Sequence, residues 1–262
     1  MSIQDIIASA RKIVLKYGSN TLAGEDGRIN VSRLGEIAED AAALMKQGKQ
    51  IVIVSSGAQA AGLSTMGAWA RKKDIHYRQA LCAVGQVELM DVWRKAFEDN
   101  HLHIGQLLLT NEDFGDKIRS LNMRNTLFTL TDEGIIPIIN ENDSVSVDEI
   151  KIGENDTLAA RSAALWSADL LILFSDIDGL FDKNPKTHSD ARLVEEVTDI
   201  EKLEKQAEDA STSSFGTGGI VTKIEAAKIA LSYGLPMILA NGGKTHALQG
   251  LASGTLNGTL FK

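Results

Sequence analysis

Lys16 and Lys223 each stand beside glycines, in settings where a protein handles anions. Lys16 closes the apolar run Ile13–Leu15 and leads into Gly18-Ser19, while Lys223 ends the segment Gly216-Thr-Gly-Gly-Ile-Val-Thr-Lys223. Backbone N–H groups at a glycine-rich helix start, together with the helix dipole, favour phosphate, and a lysine in the first turns adds a full positive charge. The Gly-x-x-x-x-Gly-Lys spacing of a Walker A loop is absent, and no Gly-x-Gly-x-x-Gly follows a strand. Taken alone, such a loop reads equally well as a helix cap, and Lys16 as a solvated residue at a strand end. Similar polar groups follow four other apolar runs: Ser55-Ser56-Gly57-Ala58, Asn140-Glu141-Asn142-Asp143, Ser175-Asp176 and Asn241-Gly242-Gly243. Each alone is a turn former. Ligands of open parallel sheets bind beyond the carboxyl ends of the strands, and five such ends together point to a site.

Other chemistries have little support. His76, His101, His103, His188 and His246 show no His-Glu-x-x-His spacing, and a strand edge would send His101 and His103 to opposite faces, so all five read as structural. Asp176-x-Asp178-Gly179 lacks the remaining ligands of a calcium loop and reads as a turn. No Gly-x-Ser-x-Gly elbow exists, and Cys82 sits within a helical stretch with no histidine paired to it in sequence. No protein metal ligands are expected.

These groups must be held by a framework, and hydrophobic periodicity supplies one. Short β-branched runs alternate with longer segments of helical period, the pattern of an α/β fold with a parallel sheet. Strands are expected at Lys12–Lys16, Ile51–Val54, His103–Leu109, Ile135–Ile139, Asp169–Phe174, Met237–Ala240 and Thr259–Phe261, with a hairpin at Ser144–Ile152. The first long helix carries Leu34, Ile37, Ala38, Ala41 and Met45 on one face and stops at Gly48. A helical stretch over Asp74–Asn100 is expected to be interrupted at Gly85, and further helices fall near Lys117–Glu133, Asn155–Trp166, from a Thr198-x-x-Glu201 capping box to Ala210, from Gly216–Gly219 to Tyr233, and near His246–Ala252.

Composition bounds the rest. With 27 Lys and Arg against 35 Asp and Glu, the net charge of −8 argues against a nucleic-acid binder, and 262 residues suit one large domain or two close lobes. Cys82 is the only cysteine, so no intrachain disulfide forms and a cytoplasmic home is expected. Met1–Tyr17 has no signal-peptide core, and Ile51–Val54 and Leu170–Phe174 fall far short of the roughly 18 apolar residues that span a bilayer.

The ordered motifs resemble the amino acid kinase family over nearly the whole chain. The resemblance rests on Lys16-Tyr-Gly-Ser-Asn-Thr-Leu22, Val54-Ser-Ser-Gly-Ala58, Ile138-Ile-Asn-Glu-Asn-Asp143, Gly153-Glu-Asn-Asp156, Ser175-Asp-Ile-Asp-Gly-Leu180 and Gly216–Lys223. Gly18-Ser19 stands where aspartokinases and acetylglutamate kinases carry Gly-Gly, which is similar to the members that phosphorylate glutamate. Asn20 and Glu154 depart from the commoner residues without touching a matched functional position. The resemblance implies a three-layer αβα sandwich around a largely parallel sheet of about eight strands, as a single domain whose lobe 1–172 binds the amino acid and whose lobe 173–262 binds nucleotide. Many members continue into a C-terminal PUA domain; with its last residue at Lys262, this chain is expected to be the kinase domain alone.

The implied reaction is transfer of phosphate from ATP, with Mg²⁺, to the γ-carboxylate of L-glutamate, at the start of proline biosynthesis. Lys16 and Lys223 would neutralise the transferring phosphoryl group and Asp156 would hold them; Ser56, Asp143 and Asn155 would bind glutamate, Asp143 through its ammonium and Asn155 as a donor to its carboxylate. Lys16, Ser175, Asp176 and the loop Thr217, Gly218, Gly219, Ile220, Val221, Thr222 and Lys223 would surround ATP. Proline as feedback inhibitor, hand-over to glutamyl phosphate reductase and a homo-oligomer also follow from the resemblance. The competing expectations are a relative with another carboxylate, carbamate or phosphate acceptor, and a catalytically silent amino-acid sensor.

Overall fold

In a computed structural model, the structure describes residues 1–67, 71, 73–147, 155–183, 185, 188–209 and 219–262. Its centre is an eight-stranded sheet in the order β3-β4-β2-β1-β5-β7-β8-β6. The strands are β1 (Lys12–Tyr17), β2 (Gln50–Ser55), β3 (Ile104–Leu109), β4 (Ile136–Glu141), β5 (Leu170–Ser175), β6 (Glu196–Val197), β7 (Met237–Asn241) and β8 (Gly258–Phe261). All pairings are parallel except β7 with β8. The expected sheet of about eight strands is thus borne out, and β4 and β5 are buried along their whole length because helices cover both faces.

Side-chain alternation divides the core in two. Ile13, Leu15, Ile51, Ile53, Ile136 and Ile138 face a layer that includes α1 (Ile3–Ser9), α3 (Val31–Met45), α4 (Ala58–Met66), α5 (Ile75–Glu98) and α10 (Ala247–Ser253). Val14, Val52, Val54, Ile139, Leu171 and Leu173 face the opposite layer of α6 (Lys117–Asp132), α7 (Asp156–Trp166), α8 (Ile200–Asp209) and α9 (Gly219–Ser232). A one-turn helix, α2 (Ser19–Leu22), follows β1 directly. The face expected of α3 is the buried one: Leu34, Ile37, Ala38 and Ala41 lie in the core and Met45 packs on it. Among the described residues no helix is long and apolar enough to cross a membrane.

Several expectations change. Helix α5 runs unbroken through Gly85, which marks a crossing rather than a break. A Cβ there would lie 1.8 Å from the Ala58 carbonyl oxygen and 2.3 Å from the Gly62 nitrogen, and one at Gly62 would lie 2.1 Å from the Leu81 carbonyl oxygen. Backbone meets backbone, so the helical cost of glycine, about 1 kcal/mol, is offset by the approach of α4 to α5. Gly85→Ala is therefore expected to destabilise the protein by about 3 kcal/mol, measured by denaturant unfolding, as the two helices are forced apart.

Helix α8 is capped by Asp199, whose carboxylate accepts from the Lys202 N–H at 2.9 Å, one residue beyond the expected Thr198. His101 lies in a turn with φ +60° and His103 precedes β3, so the two do not alternate across a strand. Residues 144–147 form a turn and coil instead of the first strand of a hairpin, and 148–152 fall outside the described residues, as do 216–218 at the expected start of α9.

Candidate active site

The five polar strand ends read from the sequence belong to β4, β2, β1, β5 and β7, which are consecutive in the sheet and mutually parallel. Their carboxyl ends therefore line one edge. Neighbouring ends are tied by backbone bonds: Ser56 N–H donates to Tyr17 O (3.0 Å), Gly18 N–H to Phe174 O (3.3 Å) and Gly242 N–H to Ser175 O (2.8 Å). From β1 the chain steps to β2 on one side, and it later reaches β5 on the other, so the switch point of this open sheet lies at β1 and β5. Gly242 is the close-packed position here, since a Cβ would come within 2.7 Å of both Phe174 and Thr21.

Alternation sends Lys16 to the same face as Val14, under α7 and α9. Those helices bring Asp156 at the start of α7 and Lys223 in the first turns of α9. Lys16 Nζ forms an ion pair with Asp156 Oδ1, while Lys223 Nζ lies 3.2 Å from Asp156 Oδ2 and 3.1 Å from the Gly219 carbonyl oxygen. Thr222 Oγ1 donates to the same Asp156 Oδ2 at 3.1 Å. Lys16, Asp156 and Lys223 are 2%, 0% and 4% exposed. Asp156 also sits at the positive end of α7, where a carboxylate is favoured. Among the described residues the triad gathers two buried ammonium groups around one carboxylate, a concentration of positive charge suited to an anion.

The opposite face of the same edge carries amides. Asn140 points with Ile136 and Ile138 towards α5, where its Nδ2 donates to Gln86 Oε1 at 2.8 Å. Its Oδ1 accepts from Glu141 N–H at 2.9 Å and from Asn155 Nδ2 at 2.8 Å. Asn155 Nδ2 also donates to Ser56 Oγ at 3.2 Å. Asn155 precedes α7 but makes no side-chain cap, because its amide is committed to this relay. Asn155 and Asp156, adjacent in sequence, join the amide face to the lysine face.

Asp143 lies just beyond β4, its carbonyl oxygen accepting from Gln79 Nε2 at 2.9 Å. Burial raises its carboxyl pKa to about 6, with Glu141 adding to the rise against opposing contributions from Cys82 and Arg78. Ser175 and Asp176 end β5; Ser175 Oγ donates to Asp176 Oδ1 at 3.1 Å, and Asn20 Nδ2 reaches Asp176 Oδ2 at 3.3 Å. The structure thus brings Lys16, Asp156, Thr222 and Lys223 into one cluster and Ser56 and Asn155 into an adjoining one, with Gly219 touching the first; Ile220 is buried and Val221 exposed on α9. Thr217 and Gly218 lie outside the described residues. Asn140 is read from the sequence only as part of a polar strand end, with no role of its own, and Gln86 is not singled out at all, because a glutamine in the middle of a helix carries no sequence signal of such a role.

Residues 11–241 match the family model described as amino acid kinase family. This chain belongs to the amino acid kinase family. Among curated amino acid kinase relatives, the chain is 58% identical to the glutamate 5-kinase of Alkaliphilus metalliredigens, covering 99% of this chain and 98% of that one. It is 43% identical to the glutamate 5-kinase of Treponema pallidum (99% and 98% covered) and 45% identical to that of Caldanaerobacter subterraneus, of which it spans 67%. Solved structures share the amino acid kinase fold: UMP kinase from Bacillus anthracis superposes with a TM-score of 0.64 at 16% identity, covering 97% and 96% of the two chains. Isopentenyl phosphate kinase does so with 0.61 at 17%, covering 96% and 100%.

Proposed function

We propose that this protein transfers the γ-phosphoryl group of ATP to the γ-carboxylate of L-glutamate, giving γ-glutamyl phosphate and ADP. The observation that carries this reading is the buried Lys16–Asp156–Lys223 triad, two ammonium groups held on one carboxylate at the switch point. The curated relatives over nearly the full length, all glutamate 5-kinases by name, support glutamate as the acceptor.

Two anions must meet. At about 4 Å each pair of unit charges repels by about 4 kcal/mol at an effective dielectric of about 20, so concentrated positive charge is the first requirement. In this reading Lys16 and Lys223 flank the transferring group from opposite halves of the chain, and Asp156 fixes both ammonium groups so that little reorganisation accompanies the reaction. The glutamate carboxylate oxygen forms a bond to phosphorus as the bond to the β–γ bridging oxygen breaks, and ADP leaves with that electron pair. The nucleophile is already ionised near pH 7, so no general base is needed. The nucleotide lies over the half containing Ser175, Asp176 and the loop from Thr217 to Lys223, and the amino acid over the half containing Ser56, Asp143 and Asn155. Mg²⁺ would neutralise triphosphate charge when bound with the nucleotide. The product, an acyl phosphate, is reactive and calls for immediate reduction by a partner enzyme, consistent with a place at the entry of proline synthesis, control by proline and an oligomeric enzyme.

Hydroxylamine traps acyl phosphates, so incubation with ATP and glutamate should yield glutamate-dependent hydroxamate. Absence of hydroxamate with glutamate, alongside turnover of another carboxylate or phosphate acceptor from a panel, would replace glutamate in this reading.

Asp143 adds a pH dependence. Its carboxyl, with a pKa raised to about 6, must be ionised to pair with the substrate ammonium. The KM for glutamate is expected to rise about tenfold per unit as pH falls below 6 and to level off above it, with kcat following a separate course; steady-state kinetics from about pH 5 to 8 checks this. In the ligand-free protein the sign for stability is opposite. A raised carboxyl pKa makes the ionised form a cost that is fully present above 6 and relieved as pH falls towards 3.8.

A further inference from the structure

We infer that Gln86 is a positioning residue that holds Asn155 with its carbonyl oxygen, not its N–H, turned towards the substrate ammonium, an inference that rests on the glutamate reading above. The polarity of the amide relay is set by one peptide group. A backbone N–H can only donate, so the Asn140 atom 2.9 Å from Glu141 N must be oxygen. The same oxygen receives Asn155 at 2.8 Å, and that side chain must therefore present nitrogen. Asn140 Nδ2 is then left facing Gln86 at 2.8 Å, and only the oxygen of Gln86 can meet it.

Every flip is excluded by a donor–donor or acceptor–acceptor clash among buried groups; Asn140 and Asn155 are wholly buried and Gln86 is 9% exposed. Both Asn155 N–H bonds are used, on Asn140 and on Ser56. What remains is Asn155 Oδ1, a buried oxygen with no hydrogen-bond partner among the described residues. Its place beside Ser56, at the junction with Asp156, makes it an acceptor awaiting a donor, and the only donor on glutamate at neutral pH is the ammonium. This reverses the role expected from the sequence, in which Asn155 donated to a substrate carboxylate. Asp143 supplies charge to the ammonium, and Asn155 supplies direction.

The test compares two diacids that differ in the ammonium alone, glutamate and glutarate. Gln86→Met keeps length and removes the acceptor; it is expected to raise the glutamate KM about tenfold or more, with kcat and the KM for ATP within about twofold. The inhibition constant of glutarate, competitive with glutamate, should stay within about twofold. Gln86→Glu, which keeps an oxygen facing Asn140, should return the glutamate KM to within about threefold of the parent. Equal weakening of both diacids would make Gln86 a packing residue only, and no weakening of either would remove it from the site; both overturn the inference. Gln86→Ala carries the same comparison if the Met variant does not fold. Calorimetric binding of the two diacids keeps the comparison open if the unsubstituted protein makes no hydroxamate, an outcome that counts against the reaction and not the relay.

Discussion

Asp156→Asn is expected to lower folding stability by about 3 to 5 kcal/mol and turnover by about a thousandfold or more. The carboxylate is wholly buried and engages Lys16 on one oxygen and Lys223 and Thr222 on the other. Removing its charge takes from two interior ammonium groups the carboxylate they share, the situation in which breaking a buried pair costs most. Those ammonium groups would then turn apart, which in the proposed reaction disperses the charge meant for the phosphates. Denaturant unfolding and kcat measure the two effects. ATP, an alternative counter-anion, should raise the melting temperature of the variant more than that of the parent. A variant as stable as the parent would show that Asp156 does not carry the triad.

Lys223→Met separates catalysis from stability. Here Asp156 keeps its partner in Lys16, and one desolvated ammonium is gone, so stability is expected to hold or rise. Turnover should fall about a thousandfold, some 4 kcal/mol, because in the proposed reaction this charge acts on the group in flight. The KM for glutamate should stay within about threefold. Asp143→Ala is the converse, raising that KM by one to two orders of magnitude while kcat changes little. If Lys223→Met instead weakened glutamate binding and Asp143→Ala instead abolished turnover, the two residues would have to exchange roles. The contrast with Asp156→Asn is the informative part: two changes within one cluster, both fatal to turnover, with opposite consequences for folding.

Much of this molecule is legible in one dimension. Leu170–Phe174 is apolar at every position, which only a strand covered on both faces tolerates, and β5 is buried throughout. Lys16 followed by Gly18, and Lys223 preceded by Gly216–Gly219, are candidates for anion handling on local chemistry, each readable by itself as a solvated lysine or a helix cap and gaining weight only from the other strand ends. Gly85 was legible in residue type and not in meaning. Helix propensity is a local quantity and reads it as a break, whereas the reason for glycine there is the α4 backbone, supplied from elsewhere in the chain. The cap at Asp199 differs by one residue for a related reason: Thr198 and Asp199 are both competent caps, and the entry of the chain into α8 selects between them.

The kinds of groups in the site and their order, two lysines, strand-end serines, an amide-rich turn and a glycine-rich helix start, are properties of the amino-acid sequence itself, because each depends on its immediate neighbours. Which oxygen of Asp156 serves which lysine, and which end of Asn155 is left over, depends on contacts between residues far apart in the chain, and those exist only once the sheet order places β1 between β2 and β5. An amide has two ends that sequence cannot tell apart. The backbone N–H of Glu141 can, because in the folded protein it admits only an acceptor.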